Sequence, residues 1–408
     1  MQYFYLTAPT GTTTVSTTLT AKNTGTAYTP TVTNTMAHFS LSTAVAGVNQ
    51  AVRPDFKILC DVYLAGTPYG TKIAALEATP DTGNNAVFEF SRQLLAQLGA
   101  NKPGLGETSS QPCPDMRKKY FLQYMEQYSG AIQKMTTGSS FYAVNSKLEF
   151  ELFPGNTFYI DHFYGTSPDL DRNFFTNQPR TKKISPLQPE WLYWYHDASG
   201  GNLKLYADIT YTDGTTTTAN VILDAAATAD TIYRIPVGLQ NNPAIAAVDG
   251  TKTIASYIVY AQSVTSTMFS EKFTYTVDYA VYRNRNFFLF RNLLGGYDTL
   301  WCRGDVSEGR NYGFTEYDPI LNYDYAAADP GIKQQITDNL RGWNFNTGWL
   351  TLPQQQNLEE FFSSPERLLL LDPDNYISIN MDETNIITRD TSTAKFAYTF
   401  KIKAAFNS

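Results

Sequence analysis

Three histidines, three cysteines and a few acidic pairs are the residues whose types could do chemistry in this chain. Covalent or general acid–base catalysis needs such a group beside a partner that tunes its proton affinity. His38, His162 and His196 are far apart in sequence, and none has a second ligand at the helical spacing of H-E-x-x-H. Asp161-His162, in the aromatic run 158–164, invites a catalytic reading. A strand or loop histidine beside a solvated carboxylate is the plainer expectation. Glu149 and Glu151 alternate along a predicted strand and so share a face, and Asp169 and Asp171 repeat that spacing in a loop. Glycoside hydrolysis uses two carboxyl groups about 5–9 Å apart, but acids two residues apart are also ordinary on a solvated strand. Asp372-Pro373-Asp374-Asn375 has the composition of a calcium loop without the spacing or later Glu of an EF-hand, and reads as a turn. Cys60, Cys113 and Cys302 form an odd set without short spacing, which argues against a disulfide framework or a zinc site. No phosphate-loop, dinucleotide or nucleophile-elbow signature is present. The expectation is a non-enzyme with no catalytic residue, cofactor or metal site.

Two further features concern recognition. Trp191, Tyr193, Trp194 and Tyr195 cluster, and alternation puts Trp191, Tyr193 and Tyr195 on one face with Trp194 on the other. Trp191 or Trp194 could serve as a glycan-stacking platform; a strand buried on both faces would look the same and is the favoured reading. Arg303-Gly304-Asp305 is an adhesion-type tripeptide, read here as a chance occurrence.

The elements that would position these groups follow from composition. The 408 residues are 42% hydrophobic, 14% aromatic and only 17% charged, which excludes a disordered chain. No run of about 18 apolar residues is present, so no transmembrane helix is expected. With 31 Lys plus Arg against 38 Asp plus Glu, the net charge is −7, which gives no help in binding a phosphate backbone. The basic runs at 117–119 and 180–183 are too short for a nucleic-acid footprint, so no nucleic-acid partner is expected. The N-terminus lacks a basic region followed by an apolar core, so no signal peptide is expected and the chain should fold in a cytosol with reduced cysteines.

Abundant Thr, Tyr, Phe and Val with frequent Gly turns predict an all-β protein, mainly antiparallel β-sandwich-like domains, with a small α+β C-terminal domain. Residues 1–35 are a Thr-rich arm or strands whose single charge is Lys22, with Tyr3, Phe4, Tyr5 and Val15 as interface candidates. Residues 36–180 are expected to be a β domain with one short helix, capped by Ser91, over 92–98. Residues 181–316 are expected to be a β-sandwich, with its strongest hairpin signal at Asp213-Gly214. Residues 317–408 contain a predicted amphipathic helix over 354–362, carrying Leu358, Phe361 and Phe362 on one face, followed by strands.

Several passages resemble a known group in their order along the chain. Residues 56–64 with Ala86-Val87-Phe88-Glu89-Phe90-Ser91-Arg92 resemble F-x-Y-x-x-D-V-Y-V followed by V-F-D-[VI]-S-R. Residues 120–130, ending Met125-Glu126-Gln127-Tyr128-Ser129-Gly130, resemble a G-E-E-Y-G strand. Phe174-Phe175-Thr176-Asn177-Gln178-Pro179-Arg180 resembles F-L-T-N-x-P-R. Ser270-Glu271-Lys272-Phe273-Thr274-Tyr275 and Asn292-Leu293-Leu294-Gly295-Gly296-Tyr297-Asp298-Thr299 resemble S-E-x-F-T-Y and N-S-L-G-G-[FW]-D-T. Thr347-Gly348 with Ser364-Pro365-Glu366-Arg367-Leu368 resembles a module ending tail-tip proteins. The series is similar to large β-rich virion and tail proteins of tailed phages infecting Bacteroidetes-type bacteria. The resemblance implies a virion structural protein of the tail, tail tip or baseplate, assembled in the host cytoplasm with other virion proteins as a homo-oligomer or ring. It implies no catalytic residue. Two alternatives stay open: a carbohydrate-binding adhesin that takes a host surface glycan on Trp191 or Trp194, and a glycan hydrolase using Glu149 and Glu151.

Overall fold

The computed structural model describes residues 19–20, 27–35, 38–44, 55–65, 70–79, 86–146, 160–164, 172–196, 201–263, 269–282, 286–320, 323–327, 332–372, 375–383 and 397–406. The fold is all-β, with antiparallel pairing in nearly every described ladder. An N-terminal sheet joins β1 (Leu19–Thr20), β2 (Ala27–Thr35) and β3 (His38–Ala44) in that order. Tyr3, Phe4, Tyr5 and Val15 lie outside the described residues.

Alternation builds the next sheet. In β4 (Lys57–Leu64) the side chains of Ile58, Cys60 and Val62 turn inward, as a period of two requires. β4 pairs with β5 (Lys72–Ala78) and β7 (Arg117–Tyr128), and β7 pairs with β8 (Ala131–Val144). The β7–β8 turn places Ser129 and Gly130 at φ 53° and 72°, the left-handed pair that a tight twisted hairpin demands. Phe88, Phe90 and Leu94 close this core. Leu94 belongs to α1 (Ser91–Leu95), which is shorter than the predicted 92–98 and makes no side-chain cap with Ser91.

A β-sandwich follows. One layer runs β10 (Trp191–His196), β13 (Thr231–Pro236), β6 (Gln111–Pro112). The facing layer runs β12 (Thr216–Ala226), β11 (Asn202–Tyr211), β14 (Ile254–Ser263), β15 (Phe273–Val277), β9 (Thr181–Ile184), with β9 and β15 parallel. Strict alternation in β11 sends Leu203, Leu205, Ala207, Ile209 and Tyr211 into the core against Leu192, Trp194, Tyr257 and Val259. Ile245 of α2 (Pro243–Ala247) joins them.

The last sheet has the order β17 (Tyr297–Cys302), β16 (Asn286–Arg291), β20 (Arg367–Asp372), β21 (Asn375–Met381), β22 (Thr399–Ala404), β19 (Lys333–Asn346), β18 (Val306–Tyr317). Helix α3 (Leu352–Ser363) packs on it, and Thr351 N–H donates to Gln354 Oε1 at 2.9 Å to start the helix. Phe361 meets Phe288, Phe290 and Phe400 at ring distances of 5.3, 5.5 and 5.4 Å. Residues 317–408 therefore do not stand as a small α+β domain: their strands complete a sheet begun at Asn286. The expected limit at 180 is also crossed, because β6 joins the sandwich. Pairing between distant segments decides sheet membership, and local composition does not record it.

Candidate functional site

Strand β10 shows where the aromatic cluster goes. Leu192 and Trp194 face the sandwich core. Trp191, Tyr193 and Tyr195 face the other way, into a second core with Met116, Val144, Phe175, Leu289 and Tyr297. Trp191 is 1% and Trp194 0% exposed, so neither can stack on a sugar arriving from solvent. The glycan-platform assignment of Trp191 and Trp194 is corrected on this ground. The strand is covered on both faces, which is what a continuous aromatic run satisfies.

Residues that carry the phage resemblance meet in a buried seam beside this second core. Thr176 Oγ1 donates to Asp298 Oδ2 at 2.8 Å. Asn292 Nδ2 donates to the Phe175 carbonyl at 2.8 Å and to Asp298 Oδ1 at 3.0 Å. Asn177 Nδ2 donates to Glu360 Oε1 at 2.7 Å, and the Phe174 N–H donates to Glu271 Oε1 at 2.8 Å. Lys182 pairs with Glu190 at 2.7 Å and also donates to the Thr299 carbonyl at 2.8 Å. At Gly295, φ is +90° and an added Cβ would stand 2.1 Å from the Asn145 carbonyl oxygen, so this turn requires glycine.

Burial pushes the Glu360 carboxyl up to about 7, with the Asp298 charge adding to it. Burial likewise pushes Asp298 up to about 6, against the pull of Gln178, Lys182, Thr176 and Asn292. Displaced carboxyl groups mark active sites when they line a cleft. Here both are enclosed and satisfied by neighbouring side chains, so they act as joints between the sandwich, β17 and α3.

The remaining chemical candidates are dispersed. Glu149, Glu151, Asp169, Asp171 and Asp374 lie outside the described residues. His38 lies in β3, His162 is exposed in a π-helical turn (Ile160–Tyr164), and His196 is buried edge-on to Tyr233. Cys60, Cys113 and Cys302 are buried free thiols; burial pushes Cys113 up to about 12 and raises the other two as well. Arg117 is held by Asp230 and stacks 3.6 Å from the centre of the Tyr142 ring, while Lys118 pairs with Asp115 at 2.6 Å. Among the described residues, no three His, Cys, Asp or Glu are grouped to hold a metal ion. No described helix is long and apolar enough to cross a membrane.

What does face solvent is a ribbon that nothing in the sequence patterns indicated. Strands β18 and β19 pair from Val306↔Phe345 to Tyr317↔Lys333. β22 supports β19 only over Gly342–Asn346. Past the Gly309↔Gly342 pair the two strands run on for roughly 27 Å, at about 3.4 Å per residue, without a third strand among the described residues. Phe314 lies opposite Ile336, and the Phe314 and Tyr312 rings stack at 6.2 Å, giving the ribbon one apolar face. At the tip, Ile320 and Tyr323 are each 99% exposed, and Tyr325 and Ile332 are exposed too. Where β18 begins and β19 ends, a cleft is bordered by Tyr282, Arg303, Asp305, Asn344, Trp349 and Thr399. Thus the tripeptide 303–305 lines a cleft, and Trp349, which the sequence patterns did not single out, is the tryptophan at the surface.

No protein-family model matches the chain, and no curated protein matches it.

Proposed function

We propose that this chain is a structural component of a bacteriophage virion, in the tail or at the tail tip or baseplate. It works by protein–protein assembly in the host cytoplasm, with other virion proteins and further copies of itself as partners. The observation that carries this reading is the β18–β19 ribbon. An unsupported two-stranded ribbon is marginal in water, and here it holds Tyr312, Phe314, Ile336, Ile320 and Tyr323 in solvent. A contiguous exposed apolar surface of this kind marks a protein interface. The order of the resembling passages supplies the phage context, and their residues serve as buried joints rather than catalysts. Neither Trp191 nor Trp194 is accessible to a glycan, so an adhesin would have no platform at these two residues.

The test joins composition and assembly. Mass spectrometry of purified phage particles should find the chain, and its absence from them would refute the virion assignment. A variant in which an Asn-Gly turn replaces residues 310–341 keeps the supported base of the ribbon. It should fold normally yet lose its place in the particle and its self-association by light scattering. An unchanged assembly state would refute the role of the ribbon.

A further inference from the structure

The cleft at the foot of the ribbon has a volume of about 690 Å³, within the range of small-molecule sites. Its character is set by Trp349. Trp191, Trp194, Trp301 and Trp343 are buried, whereas Trp349 is 65% exposed. Its loop is held by a dense set of hydrogen bonds. The Gly304 N–H donates to the Asn346 carbonyl at 3.1 Å, and the Asn346 N–H donates to the Asp305 carbonyl at 3.0 Å. The Asn346 side chain accepts from the Gly348 N–H at 2.8 Å and donates to Thr399 Oγ1 at 2.9 Å. Arg303 Nη2 donates to the Trp349 carbonyl at 2.8 Å. Gly348 sits at φ +70°, the conformation that turns the chain at this point.

The surroundings of Arg303 are fixed as well. The Arg303 guanidinium lies 5.6 Å from the Trp301 ring centre. Tyr282 meets the same indole edge-on at 5.3 Å, and its hydroxyl donates to Asp278 Oδ2 at 2.7 Å. Sites held on rigid elements lose little entropy when they bind. An indole kept in water by such a frame, beside a guanidinium, a carboxylate and an amide, is a surface with one flat apolar face and a rim of donors and acceptors.

A pyranose ring has the matching surface. Its C–H face stacks on an indole, and its hydroxyls both donate and accept. Arg303 spends one N–H on the Trp349 carbonyl and has others to offer, while Asp305 supplies acceptors. The cleft carries one charge of each sign, Arg303 and Asp305, and so favours no net charge in its ligand. We propose that this cleft binds a neutral saccharide, with Trp349 stacking on a sugar ring and Arg303 and Asp305 taking its hydroxyls. This goes beyond the assembly role and uses none of the residues that extend the ribbon.

Intrinsic fluorescence reads the site directly, because the other tryptophans are shielded. The full chain is titrated with neutral tetrasaccharides of glucose, galactose, mannose and N-acetylglucosamine at millimolar concentration. At least one should give a saturable change in tryptophan emission, with heat by calorimetry. Trp349→Ala should abolish that binding, Trp349→Tyr should retain part of it, and Arg303→Lys should weaken it about tenfold, as expected for one lost hydrogen-bond contact. The ribbon-truncated variant should bind as the wild type does, which separates this proposal from the assembly reading. Silence from all four sugars would overturn the proposal. So would binding that survives Trp349→Ala, or a Trp349→Ala variant whose only change is a shifted oligomeric state, which would make the cleft a protein interface.

Discussion

Replacing Glu360 with glutamine probes the seam between α3, β17 and the sandwich. In the fold its carboxyl titrates at about 7 instead of 4.5, because burial penalises the charge and Asp298 adds repulsion. Ionising it inside the protein therefore costs about 3 kcal/mol more than in the unfolded chain, at about 1.4 kcal/mol for each tenfold change. Between these two values the native state holds a proton that the unfolded state has released. Stability from this group is fully present below about 4.5 and is lost as pH rises through about 7. Glutamine does not titrate, so the variant should lack that decline, whatever constant offset it carries from its altered contact with the Leu293 N–H. Urea unfolding of both proteins at several pH values from about 4.5 to about 8 measures the difference, in which the groups that do not couple to Glu360 cancel. The variant should gain up to about 3 kcal/mol relative to wild type across that interval. Asp298→Asn, measured alongside, should move the remaining Glu360 transition toward lower pH. A wild-type-minus-variant difference that is flat with pH would show that Glu360 titrates as a solvated carboxyl and would refute the argument.

Trp194→Ala should cost about 3–5 kcal/mol, the range for emptying a large buried aromatic site, by chemical denaturation. Gly295→Ala forces a Cβ against the Asn145 carbonyl at a left-handed position, so a drop of more than about 2 kcal/mol is expected in the same assay. By contrast Glu308→Gln removes the exposed fork to Arg341, 2.6 and 2.8 Å long, and should change stability by less than about 1 kcal/mol. The three buried thiols should react with iodoacetamide only after unfolding; alkylation of the native protein at the rate of a free thiol would contradict their placement.

Elements with a clean period were readable. The alternation over residues 56–64 became β4, the Asp213-Gly214 signal became the β11–β12 hairpin with Gly214 at φ +82°, and the predicted helix over 354–362 lies within α3. Leu358 and Phe361 are buried and Phe362 packs at the margin of the same core, as their spacing along one face predicted. The ribbon was not readable, since Val306–Tyr317 mixes Gly, Asn, Glu and Thr with aromatics and has no buried side to impose alternation. Trp349 was missed for a related reason: a single tryptophan after glycine has no periodic neighbours, and only its surroundings show that it is exposed.

By itself the sequence determined the all-β class, the inward faces of the regular strands, the helix of the last sheet and the aromatic nature of β10. These depend on side-chain period and turn chemistry, which are local. Tertiary structure decided that Trp191 and Trp194 lie in two different cores, that Asn286 opens the last sheet, and that Thr176 meets Asp298 and Asn177 meets Glu360. It also decided that β18 and β19 run on past the Gly309↔Gly342 pair, beyond the reach of β22, with a cleft where β18 begins and β19 ends. Contacts between segments a hundred or more residues apart depend on which surfaces remain to be buried once every local element has formed, and no local pattern carries that information.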